Sequence, residues 1–195
     1  DTCRQRLRPP NGRRAGLSLM RIAIIGADQT TKLAAPYNDG SWTIWACSMK
    51  HLQSMPDGGI KPDIPRWDAW FELHRPMGLH SSGQVPEDYV AWLRSQPAVY
   101  VRDPGETFTG AIRYPEDELK ARFGPYFFSS SIACMMALAI TRAPTEIGLW
   151  GVAMLDDYGK QVPGCHYFTQ RARELGITVT VPPGSTLLDA PSDNW

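Results

Sequence analysis

The sequence has no long hydrophobic run. Its longest apolar stretch, residues 132–140, is far shorter than the ~18–20 residues that a membrane-spanning helix needs. We therefore expect no membrane partner, and this stretch is typical of a core helix. The 195 residues are 43% hydrophobic and 21% charged, which is typical of a globular protein rather than a disordered or fibrous one. This length fits one domain of ordinary size.

Cysteines are few and scattered. The four residues, Cys3, Cys47, Cys134 and Cys165, include no Cys-x-x-Cys pair. Cys47 and Cys134 lie in apolar segments, where a cysteine usually behaves as a small hydrophobic residue. We expect free thiols in a reducing, cytoplasmic compartment rather than a disulfide framework.

A net charge is also missing, because 20 basic and 20 acidic residues give a formal charge of zero. The charges are nevertheless unevenly spread, since residues 1–19 contain five arginines and one aspartate. This segment lacks the apolar region of a secretory signal. Met20 stands directly before the first predicted strand, so we interpret residues 1–19 as a disordered basic tail or an upstream extension. Residues 20–195 are the expected folded domain. Nucleic-acid binding by the tail is the less favoured alternative.

Short apolar runs separated by turn residues predict six strands, at 21–25, 43–47, 68–73, 98–101, 147–151 and 178–181. Helices are predicted at 31–36, 86–96, 115–123, 130–143 and 163–175. This alternation predicts a single three-layer α/β domain whose mostly parallel sheet has five or six strands. Ligands of such sheets bind beyond the carboxyl ends of the strands. The residues that follow each strand are therefore the place to look for a site.

The first strand runs into the turn GADQTT, residues 26–31. Gly26 permits a tight turn, and Thr30 and Thr31 place hydroxyls at the start of a helix, where free amides favour a phosphate. Only one glycine is present, and Asp28 repels a phosphate unless it faces a sugar hydroxyl. A plain strand-turn-helix capped by Asp28 or Thr30 is the alternative.

Three serines, residues 129–131, open the predicted helix at 130–143. Capping needs one such residue, so Ser130 and Ser131 indicate a second anion or substrate contact. The alternative is a polar loop end that satisfies the helix amides.

Two histidines are candidate general bases, because histidine titrates near neutral pH. His74 ends the strand segment DAWFELH beside Glu72, and His166 begins a helix after the acidic loop that contains Asp156. A structural or exposed histidine is the alternative for each. No ligand spacing supports a metal site among His74, His80, Asp156 and Asp157, so we predict none.

The order of these segments resembles known proteins. The series IIGADQTT, WTIWACS, DAWFELH, SSSIACMMALAI, EIGLWGVAM and GCHYF resembles a group of small phage and prophage proteins of unknown role. It is more distantly similar to bacterial sialyltransferases of the single-Rossmann type and to 6-hydroxymethylpterin diphosphokinase-like proteins. The resemblance implies a Rossmann-like fold in which a glycine turn and a serine-rich helix start contact a nucleotide. It also implies a host that is phage-infected or lysogenic.

The resemblance assigns roles to particular residues. Gly26 matches the turn glycine, Thr30 or Thr31 the turn hydroxyl, Ser130 and Ser131 the helix start, Gly151 the strand end and His166 the histidine of the reaction centre. Ala153 stands where the related motif has an acid, and Asp156 or Asp157 is the candidate to replace it.

The sequence thus predicts a nucleotide- or nucleotide-sugar-dependent transferase, glycosyltransferase-like, of phage or prophage type. Its catalytic candidates are His166, Asp156 and His74, and its ligand is a small nucleotide whose identity, like a need for Mg²⁺, stays open. The alternative is a non-catalytic nucleotide- or partner-binding Rossmann-like module, and a third is diphosphoryl transfer to a pterin-like acceptor, which would require Mg²⁺. We expect no nucleic-acid partner, and a homodimer stays open.

Overall fold

The structure, a computed structural model, describes residues 20–47, 51–55, 59–74, 87–105, 108–153 and 161–188. The strands are β1 (Arg21–Ile25), β2 (Trp42–Cys47), β3 (Leu52–Ser54), β4 (Ile60–Pro62), β5 (Ala69–Glu72), β6 (Val99–Val101), β7 (Ile112–Arg113), β8 (Glu146–Trp150) and β9 (Thr178–Thr180). The helices are α1 (Glu87–Arg94), α2 (Glu116–Phe123), α3 (Ser131–Thr141) and α4 (Val162–Glu174). A three-residue 3₁₀ helix covers Lys32–Ala34.

Seven strands form one sheet in the order β7-β6-β5-β2-β1-β8-β9, and every neighbouring pair is parallel. In the middle of the sheet Ile24 of β1 lies opposite Trp45 of β2 and Leu149 of β8. Central strands of parallel sheets are covered on both faces and therefore read as continuous apolar runs. The sequences RIAII and EIGLW of β1 and β8 have this character.

The two faces of β1 contribute to two separate cores. Ile22 and Ile24 belong to the core beneath α3, whereas Ala23 and Ile25 belong to the core on the opposite face. Helix α3 is apolar all round, and its residues 132–140 are all buried, as expected for a helix enclosed by its own domain. It packs against the sheet and against α4.

Aromatic side chains fill the opposite face. The ring centroid of Trp70, on β5, lies 4.7 Å from that of Trp92 on α1 and 6.0 Å from that of Trp67. The indole N–H of Trp70 donates to the hydroxyl of Tyr89, 3.3 Å away. Edge-to-face pairs of this kind are a favourable arrangement of aromatic rings, so these tryptophans serve the core.

The predicted single three-layer α/β fold is confirmed, with two differences. The sheet has seven strands rather than five or six, because β7 is a two-residue edge strand of exposed residues with no apolar pattern to reveal it. The segment between the predicted strands at 43–47 and 68–73 contains the antiparallel pair β3–β4, whose three-residue sequences LQS and IKP carry no apolar run to reveal them. No helix in the described part of the chain is long and apolar enough to cross a membrane.

Candidate active site

A cavity of about 730 Å³ opens at the carboxyl ends of the parallel strands. Small-molecule sites typically have volumes of roughly 300–1,000 Å³. The strand order reverses at β1, because the chain runs outward from β1 to β7 and then returns to add β8 and β9 on the other side. Such a switch point is where open α/β sheets bind ligands. The described lining residues are 26–29, Cys47, Leu73, His74, Arg102, 128–132, 151–153 and Gln161.

Gly26 and Gly151 meet at this switch point. The amide of Gly26 donates to the carbonyl of Trp150 at 2.8 Å, and the amide of Asp28 donates to the carbonyl of Gly151 at 2.8 Å. Gly151 has a positive φ of 63°, which favours glycine. The turns after β1 and β8 are therefore bonded directly to each other, and both predicted glycines line the cavity.

The two predicted threonines lie apart from the cavity lining. Thr31 is buried, and its hydroxyl oxygen accepts the amide N–H of Gly151 at 2.8 Å. Thr30 is exposed, and its amide donates to the carboxylate of Asp28 at 3.0 Å. Both threonines therefore shape the glycine turns, and Asp28 caps the turn that Thr30 begins.

The three serines at residues 129–131 have different roles. Ser130 is the N-cap of α3, with its hydroxyl oxygen accepting the amide N–H of Ala133 at 3.0 Å. Ser129 donates to the carbonyl of Gln161 at 3.1 Å and so ties α3 to the start of α4. Ser131 lines the cavity, and its hydroxyl has no hydrogen-bond partner among the described residues. One serine of the three is thus available to a ligand.

Glu72 and His74 form a hydrogen-bonded pair at the end of β5. Glu72 is 1% exposed. One of its carboxylate oxygens lies 2.5 Å from Nδ1 of His74, and the other accepts the hydroxyl of Tyr89 at 2.6 Å. The side chain of His74 is 51% exposed, about half buried, and lines the cavity. Because Nδ1 faces the carboxylate, Nε2 is the ring nitrogen that remains for a ligand.

Each member of this pair shifts the pKa of the other. The hydrogen bond to Glu72 raises the pKa of His74 above its ordinary value, against the opposing effect of burial. Burial favours a higher pKa for Glu72, but the hydrogen bonds and charge of His74, with the bond from Tyr89, outweigh it and lower that pKa. The site therefore holds a buried carboxylate that orients a more basic imidazole, an arrangement suited to a general base.

Of the other two catalytic candidates the structure describes His166, and it does not bring this residue to the Glu72–His74 pair. Nε2 of His166, on α4, lies 2.5 Å from the carbonyl oxygen of Leu187, and His166 is not among the described lining residues. Asp156 lies outside the described residues, as do Asp157 and His80. His74 is thus the predicted histidine that the fold places in the cavity.

Arg102 lines the cavity directly after β6, a strand-end position that the sequence indicated without giving this residue a role. Its Nε donates to the carbonyl of Leu73 at 2.6 Å, and its guanidinium pairs with the carboxylate of Glu116. Its Nη2 lies 3.8 Å from Sγ of Cys134, a weak acceptor. The position of Arg102 directly after a strand is the signal that the sequence offers. Its fixed positive charge beside His74 is the reason to include it in the site.

A buried polar cluster also escaped sequence analysis. Lys32 is 1% exposed and pairs with Asp63, which lies 3.2 Å from Nδ1 of the fully buried His51. Burial lowers the pKa of His51 despite the opposing hydrogen bond and charge of Asp63. The cluster ties the turn after β1 to the segment that follows β4. The spacing of these residues along the chain does not indicate that they form a cluster.

The described cysteines are free thiols, as expected. Burial raises the pKa of Cys47 to about 12 and the pKa values of Cys134 and Cys165 to about 11. The reactive form of cysteine is the thiolate. These side chains are therefore packing residues, although Cys47 reaches the cavity wall.

Comparison with solved structures supports the fold. The sialyltransferase CstII from Campylobacter jejuni, in complex with the substrate analogue CMP, matches with a TM-score of 0.53 and 14% identity, over 86% of this chain and 81% of that chain. Its complex with CMP-3FNeuAc matches with a TM-score of 0.52 and 12% identity, over 86% and 82%. No protein-family model matches the sequence, and a search of curated proteins finds no match.

The predicted resemblance to bacterial sialyltransferases is thus confirmed at the level of the fold. The resemblances to phage proteins and to diphosphokinase-like proteins stay predictions. The chain has an α/β fold similar to that of these structures, with a cavity at its switch point.

Proposed function

We propose that the protein is a nucleotide-sugar-dependent transferase, with its reaction centre beside His74. The observation that carries the proposal is the Glu72–His74 pair, which faces a cavity at the switch point of a sialyltransferase-like fold. A carboxylate-oriented imidazole is the group that an acceptor hydroxyl needs in order to lose its proton. The related structures hold a nucleotide and a nucleotide-sugar analogue, according to their descriptions.

In this mechanism His74 is the general base. Its Nε2 takes the proton of the acceptor hydroxyl while that oxygen attacks the anomeric carbon of the donor sugar. The new carbon–oxygen bond forms as the bond from the sugar to the donor phosphate breaks, and the nucleotide leaves with the electron pair. Glu72 keeps Nδ1–H fixed and stabilises the imidazolium that results. Its burial and its second bond, from Tyr89, hold it in place.

The remaining cavity groups are assigned to the nucleotide. Gly26 and Gly151 line the cavity where the two turns meet, and Ser131 offers a hydroxyl with no partner among the described residues at the start of α3. Ser130 caps the same helix end, whose amides favour a leaving phosphate. Dipoles and hydroxyls of this kind stabilise charge without a metal, although Mg²⁺ on the donor phosphate is compatible with the site. His166, Asp156, Thr30 and Thr31 stay predictions from the sequence.

The test combines binding with turnover. The full chain is incubated with CMP-, UDP- and GDP-sugars with and without Mg²⁺, with water as the acceptor and with simple mono- and disaccharides added as acceptors, and thermal shift and release of free nucleotide are both recorded. We expect stabilisation by one nucleotide family, because a ligand that binds the folded state raises the melting temperature. His74→Asn should lose turnover of that donor at least 100-fold while the thermal shift is retained, since general-base catalysis contributes roughly 10²–10⁴-fold.

His166→Asn is the matched comparison, because that ring lies apart from the described cavity lining and turnover should be retained; a loss there would instead support the role that the sequence predicts for His166. Binding without turnover in the unsubstituted chain would favour the non-catalytic nucleotide-binding module. An absence of any shift with all three donor families would overturn the transferase proposal.

A further inference from the structure

The cavity carries one fixed charge of each sign. Among its described lining residues, Asp28 is the one carboxylate and Arg102 the one arginine or lysine. Asp28 follows β1 and Arg102 follows β6, and β2 and β5 lie between those strands in the sheet. Three strand spacings of about 4.8 Å place the two charges roughly 14 Å apart along the sheet edge. The cavity is therefore electrostatically polarised along its length.

At the cationic end of the cavity, neighbouring groups hold the guanidinium of Arg102 in place. The guanidinium of Arg102 is fixed on two sides, by the carbonyl of Leu73 and by the carboxylate of Glu116. That carboxylate is shared, because Lys120 also binds it at 2.6 Å. The third arm of the guanidinium faces only the weak acceptor Sγ of Cys134 among the described residues. An arginine held in this way retains donors for a planar, anionic partner.

The anionic end of the cavity, at Asp28, favours hydroxyl groups over anionic groups. Asp28 is held in the turn by hydrogen bonds from the amide and the hydroxyl of Thr30. A carboxylate is acceptor-only, so it binds sugar hydroxyls and repels a phosphate. It stands next to Gly26, the position at which the usual glycine-rich turn of this fold class holds a phosphate.

We infer that the ligand lies in one orientation, with its sugar hydroxyls at Asp28 and its anionic group, a phosphate or a carboxylate, at Arg102. The inference rests on the proposed function and specifies how the donor sits in that same cavity. It makes Arg102 the residue that selects charged over uncharged ligands. This orientation also brings the anionic group to the end of the cavity that holds His74, because Arg102 donates to the carbonyl of Leu73, the residue directly before His74.

The test measures dissociation constants by titration calorimetry on the full chain. The phosphate is probed with CMP against cytidine, UMP against uridine and GMP against guanosine. The carboxylate is probed with UDP-glucuronate against UDP-glucose. We expect Arg102→Gln to weaken the member of the responsive pair that carries the probed phosphate or carboxylate tenfold or more, and to change the member that lacks it less than twofold. Asp28→Asn should weaken both members by a similar factor, and the responsive pair identifies the source of the anionic group.

Lys120→Gln is the matched control, because it removes the other cation bound to Glu116 without touching the cavity lining. Since Arg102→Gln leaves Glu116 with one partner fewer, Arg102→Lys and the double variant Arg102→Gln, Glu116→Gln are measured beside it, with circular dichroism to verify folding. The conservative variant should fall between the wild type and the glutamine variants.

Two results would overturn the orientation while leaving the transferase proposal intact. One is an unchanged preference for the anionic ligand in folded Arg102 variants. The other is tighter binding of the monophosphate by Asp28→Asn, which would place the phosphate at the glycine turn. If the wild-type chain binds none of these probes, the proposed function fails and the orientation fails with it.

Discussion

Gly26 and Gly151 approach each other so closely that neither position has room for a side chain. A Cβ atom on Gly26 would lie 2.3 Å from the carbonyl oxygen of Gly151, and a Cβ atom on Gly151 would lie 2.3 Å from the carbonyl oxygen of Gly26. The obstacle is backbone in both directions, so it cannot move aside as a flexible side chain can. The floor of the cavity is thus a contact between two turns that the sequence places 125 residues apart.

Alanine at either glycine should therefore destabilise the fold. We expect Gly26→Ala to lower the free energy of unfolding by roughly 1–3 kcal/mol through overpacking. Gly151→Ala should cost about 1–2 kcal/mol more, because its φ of 63° is unfavourable for a residue with a Cβ atom. Urea denaturation measures both. Gly40→Ala is the control, since a Cβ there meets nothing within 4 Å, and its effect should stay within about 0.5 kcal/mol. Equal effects at all three positions would contradict the close approach.

The pH dependence of the reaction should report the Glu72–His74 pair. As a general base His74 must be neutral, so turnover should rise with pH through its raised pKa. Glu72→Gln removes the carboxylate that raises this pKa, and the acid limb of the profile should move to lower pH. NMR titration of the His74 ring should show the same downward shift. Tyr89→Phe keeps the Glu72–His74 bond and should leave the His74 titration much closer to the wild type. An unmoved acid limb in Glu72→Gln would exclude His74 as the titrating base.

Stability should depend on pH through His51. Its pKa is lowered by burial, so the unfolded chain binds a proton that the folded chain does not. The unfolding free energy should therefore fall as pH drops below the ordinary histidine value of about 6.5, by at most about 1.4 kcal/mol per pH unit. His51→Gln retains an amide donor for Asp63 but does not titrate. The stability of the wild type relative to this variant should thus decline between about pH 7.5 and 5, a range that brackets the ordinary histidine value. A constant difference across this range would show that His51 does not titrate in the transition.

The fold is predictable from the sequence where a single segment determines the local structure. The strands β1 and β8 and the helix α3 are apolar throughout, and such runs fold as buried elements wherever they are placed. The rule that ligands bind beyond the strand ends also pointed to Gly26, His74 and Gly151, which line one cavity together with the serines. These features follow from local composition and the topology that it implies.

The sequence does not reveal those features whose decisive contact joins distant segments. The structural role of Thr31 depends on Gly151, 120 residues away, whose amide donates to its hydroxyl oxygen. The fixed orientation of Arg102 depends likewise on Leu73, 29 residues away. The edge strand β7 is defined by its pairing with β6 rather than by an apolar pattern of its own. Partners of this kind are set by tertiary packing, which a single sequence does not reveal.

The buried Lys32–Asp63 pair should behave as a coupled unit. Lys32→Met leaves Asp63 with a buried charge whose remaining partners are His51 and Gln29 among the described residues, and breaking one side of such a pair costs about 3–5 kcal/mol. Asp63→Leu leaves the ammonium of Lys32 buried and should cost as much. The double variant removes both charges, so its loss should be smaller than the sum of the single losses by more than about 1 kcal/mol. Urea denaturation of the four proteins gives this coupling energy.

Arg171→Ala with Glu174→Ala, an exposed pair on α4, should couple by less than about 1 kcal/mol. Strict additivity at Lys32 and Asp63 would mean that the pair does not join the turn after β1 to the segment after β4.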